Sequence, residues 1–216
     1  MDYITNDYKA LDLDANVVDV KLFFRYLPFT HFPIVENGKL IGMLAQADIV
    51  HLPKDDSPLH KLQHFFKFYK TDVPDSCLDL IGLFAQNDTD ILPVTDDKNN
   101  YLGYFELDEI IRLFYNSPLF KQGSTTLIIE KETTNFFMSE IAQIIETNNI
   151  TLLGMYISKI TDNHTQITLR LDTEEVNEVI QSLRRYEYEV ITESKNDLLI
   201  EELKDRSEYL NKFLNI

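Results

Sequence analysis

The chain has 216 residues, 44 % of them hydrophobic, and a formal net charge of −16. That is enough apolar material for a sizeable core and enough length for two domains, which excludes an intrinsically disordered chain. A surface this acidic repels phosphate backbones and anionic headgroups, so neither nucleic acid nor a membrane is expected as a partner.

In chain order, a short strand is expected at Leu11–Leu13. Val17, Val20, Phe23, Phe24 and Leu27 then follow helical spacing, with Asn16 or Asp14 available as the cap. The strand "HFPIVE" (31–36) leads into Asn37-Gly38, a hairpin turn signal because both residues tolerate positive φ. "LIGML" is the returning strand, and a last helix opens at Gln46. Leu59–Tyr69 reads equally as helix or as partly extended chain.

The grammar then repeats. At an offset of 60, Asp19 meets Asp79, Phe24 meets Phe84 and Pro33 meets Pro93; one inserted turn residue makes the offset 61, so Gly42 meets Gly103 and Ile49 meets Ile110. The second copy has its leading strand at about 71–73, then a helix, the strand "ILPVTD", the turn "DDKNN", the strand "YLGYF" and a helix opening at Leu107. Gly42 and Gly103 lie inside strands, which points to close approach of another backbone or of a ligand.

A strand with apolar-Pro-apolar, a hairpin, then apolar-Gly with an acidic residue six positions on resembles a cystathionine-β-synthase (CBS) domain. The doubling over roughly residues 8–115 resembles a tandem CBS pair. The resemblance implies two clefts that take adenosine-containing ligands: Thr30, His31 and Pro33 beside Ala45 and Asp48 in one, Asp90, Ile91 and Pro93 beside Glu106 and Glu109 in the other. The family pattern is G-x-x-T/S-x-x-D, in which hydroxyl and carboxylate grip the ribose and residues beside the proline frame the base. The same pattern is a capping box for the last helix. This chain has Gly42-x-x-Ala45-x-x-Asp48 and Gly103-x-x-Glu106-x-x-Glu109, so neither copy has the hydroxyl. Asp48 can accept from ribose or complement the helix dipole. Glu106, Glu109 and Asp90 disfavour a polyphosphate but tolerate an uncharged nucleoside or a sulfonium such as S-adenosylmethionine; the two glutamates can also be solvated helix-start residues.

After Phe120-Lys121-Gln122-Gly123 the pattern changes. "TTLIIEK" is a strand; Phe137, Ile141, Ile144 and Ile145 mark one buried helix face; "ITLLGMYISKI" and "QITLRLD" alternate as strands joined by "TDNH". Asp172-x-x-Glu175 is a capping box for a helix that buries Val176, Val179, Ile180 and Leu183, and "YEVITE" closes as a strand. The order βαββαβ is a ferredoxin-like split unit. It resembles an ACT domain over about 124–194, a module that often binds amino acids. Phe136 stands about where that family places a glycine in the first strand–helix loop, which argues for a dimerising sheet without an amino-acid site. The tail 196–216 has Leu199, Leu203, Leu210 and Phe213 on one helical face, too short for a lone coiled coil.

The expected architecture is therefore α+β: a CBS pair of two β-α-β-β-α repeats (1–60 and 61–120), an ACT-like domain (124–194) and a C-terminal helix (195–216). The combination resembles the acetoin-utilisation protein B-like group of small bacterial regulatory proteins. The N-terminus lacks the basic-then-apolar pattern of a signal peptide, and no stretch approaches eighteen uninterrupted apolar residues, so a cytoplasmic protein is expected. The sequons at Asn87, Asn149 and Asn163 then carry no meaning, and Cys77, the single cysteine, fits a small core residue rather than a nucleophile. His60 and His64 have the i, i+4 spacing of a metal pair, with Asp55, Asp56 and His51 near, but no third ligand follows at fixed spacing; a solvated face is the default and no metal is assigned. "FFKFY" (65–69) fits core or dimer packing better than an exposed partner stripe. Six glycines leave little for a phosphate cradle, and no nucleotide-loop, nucleophile-elbow or C-x-x-C motif occurs. Glu106 and Glu109 could do acid–base work, but nothing supplies a nucleophile. The expectation is a non-enzymatic regulatory homodimer that senses an adenosine-containing ligand (adenosine, AMP or S-adenosylmethionine type); the alternative is a ligand-free dimeric interaction scaffold.

Overall fold

A computed structural model of the chain describes residues 3–51, 57–72 and 76–191. The fold is α+β and falls into two compact units, Met1–Asn116 and Ser117–Ile216.

Unit 1 writes the repeat as structure. The first copy is β1 (Leu11–Asp12), α1 (Val17–Tyr26), β2 (His31–Glu36), β3 (Lys39–Ala45) and α2 (Gln46–Val50); the second is α3 (Cys77–Asn87), β4 (Ile91–Thr95), β5 (Tyr101–Glu106) and α4 (Leu107–Tyr115). β1 runs parallel to β2 with Leu11 opposite Ile34. Thr71 makes the matching parallel bridge to Val94, 60 residues on in both members; Val73 lies outside the described residues. Even the irregularities repeat: the ladder slips between Ile34 and Val35 in one copy and between Val94 and Thr95 in the other.

Local chemistry sets the boundaries. Asn16, not Asp14, caps α1, its side chain accepting from the Asp19 amide at 2.8 Å. Asn37 and Gly38 take φ of 50° and 77°, the primed turn the Asn-Gly pair favours. The longer second turn is organised by Asp96, whose Oδ1 accepts from the amides of Lys98 (2.9 Å) and Asn100 (2.7 Å). Cys77 opens α3 and packs half-buried against the second copy's core.

Both strand glycines are explained by backbone crossing between copies. Met43 and Lys67 exchange two backbone hydrogen bonds, 2.8 and 3.0 Å, and Tyr104 and Thr5 do the same at 3.0 and 2.9 Å. The segment before each copy thus pairs with the last strand of the other. A Cβ on Gly42 would lie 3.1 Å from Phe66 Cβ; one on Gly103 would lie 2.5 Å from the Thr5 carbonyl oxygen. Leu59–Tyr69 turns out to be both forms: a 3-10 helix over Leu59–Phe65, then extended chain through Lys67. Phe65, Phe66 and Tyr69 pack on the first core, while Phe68 is exposed. That core is shared, since Ile91 and Tyr104 of the second copy join Phe29, Phe32 and Ile34 of the first.

Unit 2 is β6 (Thr125–Glu132), α5 (Met138–Thr147), β7 (Leu152–Ile160), β8 (His164–Leu171), α6 (Asn177–Arg185) and β9 (Glu189–Val190). All pairings are antiparallel and the sheet order is β7-β8-β6-β9, the ferredoxin-like arrangement. Ile141, Ile144 and Ile145 of α5 and Val176, Val179, Ile180 and Leu183 in and before α6 are buried on this sheet, as the helical spacing requires. Glu140 of α5 is tied to the sheet side: Tyr188 Oη donates to its Oε2 at 2.8 Å and Lys131 Nζ lies 3.2 Å away.

Three expectations fail here. The Asp172/Glu175 capping box does not form, and α6 begins at Asn177. Asp172 instead accepts from Lys121 Nζ at 2.8 Å, and the Thr173 hydroxyl takes the Glu175 amide at 3.0 Å, closing a local turn that delays the helix. Phe137 does not join the buried face; it precedes the first turn of α5 and is largely exposed. β7 does not alternate, because its register against β8 shifts twice, between Leu152 and Gly154 and between Ile157 and Lys159: Leu152 and Met155 reach the core, while Tyr156, Ile157 and Ile160 are all exposed. The tail helix and the end of the last strand lie outside the described residues.

Candidate functional site

A cleft of about 820 Å³ opens in unit 1 where the first copy's β2, β3 and α2 face the turn before β4. It gathers Thr30, His31, Ala45, Asp48 and Asp90 of the anticipated residues, and adds Gln46, His51, Lys67, Asp88 and Thr89.

Its floor is built by the repeat meeting itself. Residues 30 and 90 are equivalent positions, and they touch. The Thr30 amide donates to Asp90 Oδ2 at 2.8 Å, and the Thr30 hydroxyl donates to Asp90 Oδ1 at 3.0 Å. Each residue's carbonyl also receives the first amide of its own copy's last helix: Gln46 N to Thr30 O at 2.8 Å, Leu107 N to Asp90 O at 2.9 Å. The clamp therefore fixes both helix starts relative to each other.

His31 sits behind Thr30, 7 % exposed, its ring edge-on to Tyr69 with centroids 6.4 Å apart. Since the Thr30 hydroxyl gives its proton to Asp90, its oxygen accepts from His31 Nδ1–H at 3.0 Å, and the imidazole is the Nδ1–H tautomer. Nε2 has no protein partner among the described residues. Burial, with a smaller push from the Lys67 ammonium, lowers the His31 pKa against the opposing pull of Asp90, Asp88 and Asp48. The ring is thus neutral at pH 7. The hydroxyl absent at Ala45 is not replaced by a free one, because Thr89 Oγ1 donates to the Ile91 carbonyl at 2.8 Å and accepts from Tyr69 at 3.0 Å. Asp48 lies in the first turn of α2 and faces the cleft.

Pro33, Ile91 and Pro93 are buried within β2 and β4 and support the walls rather than line this cleft. Glu106 and Glu109 belong to the second copy. Glu106 accepts from the Thr5 hydroxyl at 3.3 Å, and its carboxyl is held above the usual range by burial, the Thr5 bond opposing and Glu109, Asp7 and Asp108 adding to the rise. Glu109 pairs with Arg112 at 3.5 Å. Lys67 escaped the sequence reading because it makes a single bridge of extended chain inside an aromatic run; its one signal was the 60-residue periodicity, which makes 65–69 the lead-in of a second copy.

The His60/His64 spacing holds no metal geometry. In a 3-10 helix residues four apart point about 120° away from each other. His60 Nδ1 lies 3.3 Å from Asp14, and His64 stacks on Phe65. No metal-holding cluster of three or more occurs among the described residues; Asp55 and Asp56 lie outside them. No helix among the described residues is long and apolar enough to cross a membrane. In unit 2, Phe136 is half-buried against the core and fills the first strand–helix loop.

The CBS domain family profile matches residues 1–55. A protein of Methanocaldococcus jannaschii described as uncharacterized is 32 % identical over 115 residues, 51 % of this chain and 42 % of that protein, so the chain spans less than half the length of this relative. Among solved structures, a CBS domain pair/ACT domain protein from Thermotoga maritima aligns at 17 % identity over 52 % of this chain and 92 % of its own, with a TM-score of 0.46. A candidate acetoin utilization protein (AcuB) from Vibrio cholerae aligns at 20 % identity over 53 % and 88 %, with a TM-score of 0.43.

Proposed function

We propose that this tandem CBS module is a regulatory sensor. It takes an adenosine-containing ligand in the cleft of the first copy and passes the binding event on through a homodimer. The observation that carries the proposal is the cleft itself, which brings Thr30, His31, Ala45, Asp48 and Asp90 together in about 820 Å³. That volume falls in the range of small-molecule sites, about 300–1,000 Å³. Asp48 is the carboxylate placed to accept from a ribose diol. Three carboxylates, Asp48, Asp88 and Asp90, stand against one ammonium, Lys67, so the field favours an uncharged nucleoside or a sulfonium over a polyphosphate. Transmission requires that the ligand bind one dimer state more tightly than another.

The test is a thermal-shift panel of adenosine, methylthioadenosine, S-adenosylmethionine, AMP, ADP and ATP. A ligand at a hundred times its dissociation constant stabilises by about 2.7 kcal/mol. The expected order is uncharged and cationic compounds first and ATP last, with the shift lost in Asp48→Ala at little change in the unliganded melting temperature. No shift with any compound sinks the proposal. It would leave the second reading, a ligand-free interaction scaffold, which the absence of a free hydroxyl at Ala45 and the engaged Glu106 favour.

A further inference from the structure

The connection between the two units is short and is itself tied down. α4 ends at Tyr115, and a 3-10 turn, Pro118–Phe120, begins after Asn116 and Ser117. Thr126, Arg170 and Gly154 are register partners across β6, β8 and β7, so they share one sheet face, opposite to the face on which Leu127 and Leu169 meet the helices. Arg170 spends its guanidinium on this connection. Its Nε donates to the Leu119 carbonyl at 3.0 Å, one Nη to the Lys121 carbonyl at 3.3 Å, and the other Nη to the Thr126 hydroxyl at 2.9 Å. Beside it, Leu119 lies over Gly154, where an added Cβ would come within 2.6 Å of Leu119 Cδ1. Lys121 adds a further tie to Asp172 at 2.8 Å. Residues 118–121 are thus a strap held by backbone bonds and one apolar peg, not a loose linker.

The other end of α4 reaches the cleft. Its first amide, that of Leu107, donates to the Asp90 carbonyl, while the Asp90 carboxylate clamps Thr30 in the cleft wall. One hydrogen-bonded run therefore leads from the cleft along α4 to Asn116 and Ser117 and on to the strap. A short helix moves as a rigid element, so what shifts its start shifts its end. At the joint, the Ser117 hydroxyl is buried and has no partner among the described residues. A buried unpaired hydroxyl costs free energy that another setting of the joint would recover, which makes this the cheapest place for a second state.

We propose that the strap is the output of the sensor. Occupancy of the cleft resets α4 through Asp90, and the strap, held by Arg170 and Leu119, carries the change into β7 and β8 of unit 2. Arg170 is a positioning residue; it makes no contact with the ligand. The inference rests on the sensor reading above and adds where its signal arrives.

Amide hydrogen exchange on the full chain reads both units at once. The first arm needs no ligand. Asp90→Ala releases the clamp and should speed exchange in 152–157 and 166–171 by about fivefold or more. With Gly-Ser-Gly inserted between Asn116 and Ser117, the contacts within each unit remain, and Asp90→Ala should leave unit 2 unchanged. Arg170→Ala is the second break. It speeds unit 2 exchange by itself, but Asp90→Ala should then add nothing, whereas a merely structural Arg170 gives additive effects. The second arm uses adenosine as the probe. In the unsubstituted chain it should protect 45–50 and 166–171. In the insertion and in Arg170→Ala it should protect 45–50 alone, with a dissociation constant within about twofold of the unsubstituted one. Additive effects of Asp90 and Arg170, or protection that reaches unit 2 despite the insertion, overturn the strap. Protection confined to 45–50 in the unsubstituted chain also overturns it and leaves the sensor standing. No protection anywhere counts against the sensor reading, and the strap then stands or falls on the ligand-free arm.

Discussion

Residues 45 and 106 occupy the same place in the two copies, and so do 30 and 90, yet the side chains at those places have diverged. In the first copy Ala45 leaves room and the cleft is lined by Thr30, His31 and Asp48. In the second, Glu106 stands at the equivalent place and engages Thr5, and Asp90 turns its carboxylate toward Thr30 of the first copy. One ancestral scaffold can thus keep its strands, turns and crossings while its two sites part company, because the scaffold depends on backbone geometry and the sites on a few side chains. The strand glycines make the same point from the other side: both are needed, but Gly103 has φ 146° and a neighbour at 2.5 Å, whereas Gly42 has ordinary φ and a neighbour at 3.1 Å.

The sharpest way to break this comparison is to put alanine at each strand glycine. Gly103→Ala should cost about 3 kcal/mol or more in urea unfolding, since it forces a left-handed φ and drives Cβ into the Thr5 carbonyl. Gly42→Ala should cost about 1 kcal/mol, because Phe66 can shift by a few tenths of an ångström. Equal losses would mean the two crossings are energetically alike.

Next in size is the clamp between equivalent positions. Asp90→Ala removes both acceptors of Thr30 and should destabilise unit 1 by about 1–2 kcal/mol. Thr30→Ala keeps the amide bond and should cost less, about 0.5–1 kcal/mol. A double-mutant cycle that shows no coupling between them would remove the clamp from the account.

The smallest effects are on pH dependence, and the two copies should show opposite signs. For His31, whose native pKa is lowered, the unfolded chain binds the proton first; stability is complete above the free value of 6.5 and is lost as pH falls below it toward the native value. His31→Ile, which copies Ile91 into the first repeat, should flatten that acid limb. For Glu106, whose native pKa is raised above 4.5, the native chain holds the proton longer, so its contribution is present at lower pH and lost as pH rises through the native value. Glu106→Ala, which copies Ala45 into the second repeat, should remove that loss. Denaturant midpoints measured across pH 4 to 7, about three units, separate the two; slopes of the same sign would contradict the assigned environments.

Much of the first unit was legible from local chemistry. Asn37-Gly38 dictated its turn, the 60- and 61-residue offsets aligned the elements, and Gly42 and Gly103 announced close backbone contact. The pairing of Lys67 with Met43 was not legible, because one bridge of extended chain leaves no periodic trace. In the second unit, Asp172 and Glu175 had the right spacing for a helix cap, but Lys121 is distant in sequence and claimed the carboxylate. Tyr156, Ile157 and Ile160 lie in a segment that reads as alternating, but two shifts of register against β8 break the alternation and leave all three exposed.

What the sequence determined by itself is the order and kind of elements and the duplication, since helix periodicity, turn chemistry and an internal offset are properties of neighbouring residues. Only the tertiary structure decided that residues 30 and 90 meet, and that the Asp90 carboxylate serves the first copy while its carbonyl serves its own. Those depend on which distant segments come together and which hydrogen-bond partner wins, and no local pattern encodes that competition.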